Sequence, residues 1–467
     1  MNKKRFLALL TDIRFWLIFL FVLRLIGITD APLEAGHNWR QSLTNMVARN
    51  FLEIDANIFY PRIDMGGEKT GIMGSEFPLL NYLTYLVASV FGYAHWYGRL
   101  INLIFCTIGI FYFYKLIDKI FNKQTAFNAT IILSMSIWFS FSRKIMPDTF
   151  SIALVMIGLY YAYTYLKDGK KFHLILYFIL TTLGILCKIP ALSLFGVLAV
   201  TLFIKEIPMN RKLAVYGAGI ISFAIVCLWY FYWVPYLLDT YQYQLYHPRG
   251  LREGLMELKD HIPQLLEKFY FNAFRSFIAT AFFIAGIYFI IKSDRKMVKW
   301  GLSIITVVFI VFIIKTGLVF AVHSYYVIPF TPVMALLAGY ALTKIPLRYQ
   351  YLILIFISVE NIANNQHDFF IDDDQKYKLE LEDRTAAFIP KGDLIVINGG
   401  QSPQDMYFSH KKGWTVYNEN VIDSQFMDSL KTKGAAYLII DFHRLDQKFP
   451  QYEAVYVDEH YGIYKLD

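Results

Sequence analysis

Along most of the chain, long apolar runs alternate with short polar breaks. The first run covers about 15–28. Others follow at roughly 97–116, 125–141, 149–166, 173–187, 190–204, 214–235, 276–292, 299–320, 326–343 and 349–364. A helix needs about 20 apolar residues to cross a bilayer, so about eleven such runs predict an α-helical polytopic membrane protein. After about residue 370 the pattern changes. Strand-like runs at Leu394–Ile397, Tyr437–Ile440 and Ala454–Val457 alternate with polar helical stretches such as Asp423–Lys431. That alternation predicts a small soluble α/β domain. The chain thus divides into a transmembrane domain over 1–365, which includes a long loop at 29–96, and a C-terminal α/β domain over 366–467. The turn Asn398–Gly399–Gly400 after the first of these strands reads as an ordinary turn.

Two apolar stretches need separate treatment. The first run follows a basic start, MNKKRF, but no small-residue cleavage site comes after it, so it is read as a retained helix. The stretch Phe77–Phe91 is apolar, yet counting it as a crossing would invert every later loop. It is therefore placed at the membrane surface as an interfacial helix.

Charge fixes the direction of the crossings. Lys and Arg gather in the short loops near Lys115–Lys123, Lys167–Lys171, Lys205–Lys212, Lys292–Lys299 and Lys344–Arg348. Basic loops stay in the cytoplasm, so the N-terminus is cytoplasmic. The segments 29–96, Ser142–Asp148, Lys188–Pro190, 236–275 and Ala321–Tyr325, and everything after about 365, then lie outside. The net charge of +8 is thereby a topology signal and not a sign of nucleic-acid binding. Composition agrees: 56% of the residues are hydrophobic and only 18% charged, too few charges to wet a soluble protein of this length. Cys106, Cys187 and Cys227 each sit inside an apolar stretch and show neither metal-ligand nor disulfide spacing.

By this topology the chemistry-bearing residues reach one face. Glu34, His37, Arg40, Gln41 and Glu76 belong to the first outer segment, Arg143 and Asp148 to SRKIMPD, Lys188 to CKIPA, and His323, Tyr325 and Tyr326 to HSYY. Ionisable residues at apolar helix ends are candidate site residues. Each also has a structural reading. Lys188 could snorkel, Asp148 could start a helix after Pro147, the HSYY aromatics could form an interfacial belt, and Arg40 could pair with Glu34. Arg24, inside the first run, is expected to pair with an outer-loop acid. Carboxylates beside Arg, Lys and His suit a lipid-linked phosphate substrate. The cations would hold the phosphate as it leaves, and a carboxylate or His would take a proton from an acceptor hydroxyl.

The order of several segments resembles a known family. These are Ala48–Arg49 at the end of the first-loop motif, Glu76–Phe77–Pro78, Gly98–Arg99–Leu100, Pro147–Asp148, Lys188–Leu192, and the run from His323 to Gly339. Over about residues 10–345 the chain resembles membrane glycosyltransferases of the C-type fold, in particular the protein O-mannosyltransferase and lipid A aminoarabinose transferase group. The resemblance implies transfer of a sugar from a polyprenyl-phosphate donor to an extracytoplasmic hydroxyl on protein, lipid A or a surface glycan. It also implies a bacterial inner-membrane location. Members carry an Asp-Glu pair about eight residues before the Ala-Arg pair, and here those positions hold Arg40 and Gln41. HNWRQ looks like a variant motif in place of the acidic pair, which leaves Glu34, His37, Glu76 and Asp148 as the catalytic candidates. Arg40, Gln41, Arg143, Lys188, His323, Tyr325 and Tyr326 are the candidates for binding substrate and carrier phosphate.

No metal-ligand spacing is evident and no cofactor is required, although first- and second-loop acids sharing a divalent cation stays open. The competing function class is a transporter or flippase for a lipid-linked molecule. Transporters place ionisable residues near the bilayer midplane, often in paired repeats. Here the centres of the runs are nearly free of charge and no repeat is visible, which favours the enzyme.

The topology makes a direct prediction. Cysteines introduced at exposed positions beside Glu68 and beside Lys411 should both react with an impermeant thiol reagent in spheroplasts. Protection of either site until lysis contradicts the assigned orientation.

Overall fold

The computed structural model describes residues 10–243 and 249–466. The chain forms two compact units. One comprises Met1–Ile28, Arg99–Phe231 and Tyr246–Phe369, and the other Thr29–Gly98, Tyr232–Leu245 and Phe370–Asp467. The segment 29–98, assigned by the sequence reading to the transmembrane domain, groups here with the C-terminal residues.

The first unit is helical, and each of the apolar runs expected from sequence falls on helical residues. Among the described residues, five helices are long and apolar enough to cross a membrane: Tyr97–Ile120, Pro147–Asp168, Met209–Tyr241, Lys296–Thr316 and Ser324–Leu342. A bent pair, Ile262–Asn272 with Phe277–Lys292, adds a sixth candidate, turned through 98° at its break. At that break Ser276 caps the second helix, and Glu360 accepts from Ser276 Oγ and from the Phe277 N–H at 2.9 Å. The remaining apolar runs form shorter or interrupted helices, among them Ile13–Leu23, Lys171–Cys187 and Ile189–Phe203. Pro190 explains one interruption, since it has no N–H with which to continue the helix.

Burial sorts these helices. Pro147–Asp168 and Ser324–Leu342 are enclosed by protein, whereas Met209–Tyr241 and Lys296–Thr316 leave most of their surface open. That open surface is apolar, with Ile220, Phe223, Leu228, Val307, Ile310 and Val311 exposed, as a lipid-facing wall requires. Inside the unit small residues let backbones meet: a Cβ on Gly339 would stand 2.5 Å from the Ala129 nitrogen.

The second unit is built on a five-stranded sheet: β1 (Leu394–Ile397), β2 (Gly413–Thr415), β3 (Ala435–Asp441), β4 (Glu453–Val457) and β5 (Tyr461–Lys465), in the order β2-β1-β3-β5-β4. The pairs β1–β2 and β1–β3 are parallel, and the pairs with β5 are antiparallel. The sequence pattern located β1, β3, β4 and the helix Ser424–Lys431, which Asp423 caps through Gln425 N and Phe426 N. It missed β2, which is three residues long, and β5.

Both faces of this sheet are apolar. Val396, Leu438 and Ile440 pack with Met427, Leu430 and Phe449 on one side. Ile395, Ile397 and Ile439 face the other way, onto Leu43, Met46, Val47 and Phe51 of the first-loop helix Asn38–Glu53. The tail therefore draws one of its two covering layers from a segment more than 300 residues earlier in the chain. The helix Leu79–Phe91, in the same unit, is 13 residues long. At 1.5 Å per residue it falls well short of a roughly 30 Å hydrocarbon core, in keeping with an interfacial position.

His410 interlocks the first-loop helix with the tail. Its Nδ1 meets Glu382 at 2.6 Å and its Nε2 meets Glu53 at 2.9 Å. The Glu382 and Glu53 hydrogen bonds outweigh partial burial and nearby Arg49, and push the imidazole up to about 9. Its two carboxylate partners are held below their ordinary range. A raised histidine stabilises fully below its unfolded value near 6.5, and that contribution disappears as pH rises through about 9. The depressed carboxylates contribute above their unfolded value near 4.5 and lose that contribution on acidification. The melting temperature of wild type should therefore exceed that of His410→Gln most clearly near pH 6, and the gap should close by about pH 10. A pH-independent gap rules out the charged bridge.

Candidate active site

Within the helical unit, one group of predicted residues comes together. Met146 is extended, as a residue before proline prefers, Pro147 opens the next helix, and Asp148 occupies its first turn. Lys188 ends the helix Lys171–Cys187 in an extended conformation, just before Pro190. The two helices approach closely at Gly184, where a Cβ would lie 2.8 Å from Val155 and 2.9 Å from the Ser151 carbonyl. Ser151 Oγ donates to the Gly184 carbonyl at 2.7 Å across the same contact. This approach brings Lys188 Nζ to 3.5 Å from Asp148 Oδ1.

Asp148 is 2% exposed, and among the described residues its other oxygen, Oδ2, has no hydrogen-bond partner. Breaking a buried ion pair by removing one partner costs about 3–5 kcal/mol, so this pair is held against a substantial penalty. Asparagine can cap a helix, but it cannot carry the charge that faces Lys188.

The HSYY residues join the same group. Lys188 Nζ lies 5.8 Å from the centre of the Tyr326 ring. Tyr326 stacks on His323 at 5.8 Å and on Phe312 at 6.1 Å, and Tyr325 packs against Phe141. His323 lies within electrostatic reach of Lys188, Asp148 and Lys268. Lys268, on a π-helical turn, is 5% exposed and, among the described residues, makes no ion pair with a carboxylate. The sequence reading passed over Lys268. Its signal was present as a cation among Leu265, Leu266, Phe269 and Phe271 in an outer segment, directly after Glu267.

Arg143 stands apart from this pair. Its Nε donates to the Arg24 carbonyl at 3.1 Å and a terminal nitrogen to the Ile26 carbonyl at 2.7 Å, while the guanidinium lies 4.2 Å from the Phe369 ring centre. It thus closes the end of the first helix, whose last carbonyls lack intrahelical partners. Among the described residues Arg24 makes no ion pair with a carboxylate, where the sequence pointed to an outer-loop acid. It donates to the Ser134 carbonyl and lies over Phe139.

The first-loop candidates belong to the second unit. His37 has φ 59° in the left-handed region and heads the helix Asn38–Glu53. Arg40, in the first turn of that helix, forms an ion pair with Glu76, which precedes Pro78 and the helix Leu79–Phe91. Gln41 and Glu34 are fully buried. Trp39 Nε1 donates to the Gln401 carbonyl at 2.8 Å, which fastens the HNWRQ segment to the turn after β1. Arg49 bonds Asp64 at 3.1 Å and the Tyr407 carbonyl at 3.1 Å, so the Ala-Arg element is a structural brace. Among the described residues no three His, Cys, Asp or Glu side chains gather closely enough to hold a metal ion.

Comparison with known proteins places this architecture. Residues 75–233 match the sequence model of a family described as dolichyl-phosphate-mannose-protein mannosyltransferase. No curated protein sequence matches the chain. Among solved structures, ArnT from Cupriavidus metallidurans bound to undecaprenyl phosphate is similar with a TM-score of 0.62 at 12% identity, over 96% of this chain and 98% of that one. The oligosaccharyltransferase AglB from Archaeoglobus fulgidus, in complex with an inhibitory peptide and a dolichol-phosphate, gives a TM-score of 0.57 at 11% identity over 92% and 70%. The arabinofuranosyltransferase AftD from Mycobacteria gives 0.50 at 11% over 97% and 40%. The chain therefore has the C-type fold of the membrane glycosyltransferases, and its residues 75–233 carry the sequence pattern of the mannosyltransferase model.

Proposed function

We propose that this protein transfers a sugar from a polyprenyl-phosphate donor to a hydroxyl group outside the cytoplasm. The observation that carries the reading is the Asp148–Lys188 pair, a buried carboxylate with one oxygen on an ammonium and the other unoccupied. The ammonium suits the phosphate of the carrier, and the unoccupied oxygen suits the proton of an attacking hydroxyl. The fold supports a lipid-linked donor, since the ArnT structure is bound to undecaprenyl phosphate and the AglB structure holds a dolichol-phosphate.

The steps follow from these groups. The acceptor oxygen bonds to the anomeric carbon as the bond from that carbon to the phosphate oxygen breaks. The acceptor proton passes to Asp148, and the electron pair of the broken bond leaves with the phosphate. Negative charge grows on the phosphate through the transition state, where Lys188 and Lys268 stabilise it more than in the ground state. Few waters compete in these apolar surroundings, which strengthens both interactions. His323, Tyr325 and Tyr326 wall the site and orient the carrier head group.

Arg40 and Gln41 serve the substrate from the first-loop helix, with Arg40 held in place by Glu76. A second reading of the base also rests on an observation. His37 is held in a backbone region costly for a residue with a side chain, and such strain concentrates at functional sites. In that reading His37, or Glu34 three residues before it, takes the proton.

Transfer from a purified polyprenyl-phosphate sugar in detergent separates these roles. Asp148→Asn should lower kcat by about 100-fold or more while protein yield stays near normal. Lys188→Met should raise the apparent KM for donor and lower kcat, and Lys188→Arg should keep part of the activity. Near-full activity of Asp148→Asn beside inactive His37→Asn or Glu34→Gln would move the base to the first loop. A Lys188→Met variant equal to wild type in both constants would reduce Lys188 to a snorkelling residue.

A further inference from the structure

We propose that Asn102 is the positioning residue that sets the Asp148 carboxylate for transfer, acting through Thr149 and the carbonyls of the preceding loop. The inference rests on Asp148 serving the reaction as described above.

The loop that delivers Asp148 is irregular and closed to water. Residues 142–146 run between the single helical turn Trp138–Phe141 and the helix beginning at Pro147. They are fully buried, so water cannot serve their backbone groups, and Pro147 has no N–H to offer. Asn102, on the neighbouring helix Tyr97–Ile120, is also fully buried and donates into this loop. Its Nδ2 lies 2.7 Å from the Lys144 carbonyl, 3.0 Å from Thr149 Oγ1, 3.3 Å from the Phe141 carbonyl and 3.4 Å from the Met146 carbonyl. An amide has two N–H groups, so the two shortest contacts take them and the other carbonyls sit at the edge of range.

The orientation of the amide follows from its partners. Carbonyl oxygens surround Nδ2, whereas Oδ1 accepts from the Cys106 thiol at 3.0 Å and from the Thr149 hydroxyl at 3.3 Å. Thr149 can also turn its hydroxyl to the Phe141 carbonyl at 3.2 Å. One side chain thus grips the chain on both sides of Asp148, at Lys144 before it and at Thr149 after it.

This grip bears on chemistry and not only on folding, because the two members of the ion pair sit on different helices. Asp148 takes its place from the loop that Asn102 holds. Lys188 stands at the end of the helix Lys171–Cys187, which docks at Gly184 on Ser151, one turn beyond Asp148 on its own helix. Loosening the grip should therefore shift the carboxylate more than the ammonium. Misplacement of a reacting group by about 1 Å costs about 100-fold in rate. The signature is a loss in kcat with donor KM retained.

The test compares Asn102→Leu, Thr149→Val and Thr149→Ser with wild type and Asp148→Asn, in detergent, with polyprenyl-phosphate sugar varied. Asn102→Leu should lower kcat about 10- to 100-fold with donor KM within about twofold of wild type. Thr149→Val, a change of similar shape that protects against a folding failure at Asn102, should lower kcat about three- to tenfold. Thr149→Ser restores the hydroxyl and should return kcat to within about twofold of wild type. Adding Thr149→Val to Asp148→Asn should cost little more, because the positioned group is already gone.

Wild-type kcat in Thr149→Val overturns the proposal, as does a parallel loss of kcat and donor binding in every variant. If Asp148→Asn itself stays active, the parent reading of Asp148 fails. If Asp148→Asn is inactive while Thr149→Val matches wild type, only the role of Asn102 fails.

Discussion

A carboxylate held against an ammonium, away from water, is the interaction on which the helical unit is organised. Asp148 is buried and faces the ammonium of Lys188 at 3.5 Å, and removing one partner of a buried pair costs more than a surface pair contributes. The surrounding structure serves that pair. Pro147 starts the helix of Asp148 and Pro190 breaks the chain after Lys188, Gly184 removes a side chain so that their helices can meet, and Asn102 donates into the loop that leads to Asp148. The stack of His323, Tyr326 and Phe312 supplies aromatic faces next to the ammonium, the kind of wall that tolerates both a cation and a lipid.

The second unit answers a different constraint. A sheet with two apolar faces needs two covers, and the tail supplies only one from its own helices. The other is the helix that begins with HNWRQ. The helix carrying Arg40 is thus fixed by a domain that looked separable in sequence, and Trp39 and His410 pin it near its two ends. The placement of Arg40 then depends on the integrity of the α/β domain as much as on the Glu76 pair.

Much of this was legible in the amino-acid sequence, for physical reasons. Apolar runs report helices because the bilayer accepts little else, and strands with apolar residues on both faces, such as Leu394–Ile397, stand out against a polar tail. Proline and glycine marked the breaks at Asp148 and Lys188. The unread features are long-range. Nothing in a local pattern says that Leu43 and Met46 cover a sheet more than 300 residues away. Nor does it say that Arg143 turns inward to carbonyls at the end of the first helix, or that Asn102 reaches across to the loop before Asp148. Lys268 was readable as a cation, next to Glu267, in an otherwise apolar segment. The three-residue β2 was not, since a strand that short carries no periodicity.

The central claim is that the carrier phosphate replaces Asp148 as the partner of Lys188 while the carboxylate turns to the acceptor. The most direct measurement is a structure of the protein with a polyprenyl phosphate bound. The account predicts phosphate oxygens within hydrogen-bond reach of Lys188 Nζ and facing Lys268, with the free oxygen of Asp148 open to the space where an acceptor hydroxyl would enter. A phosphate seated away from Lys188, with the Asp148–Lys188 contact unchanged, would contradict it.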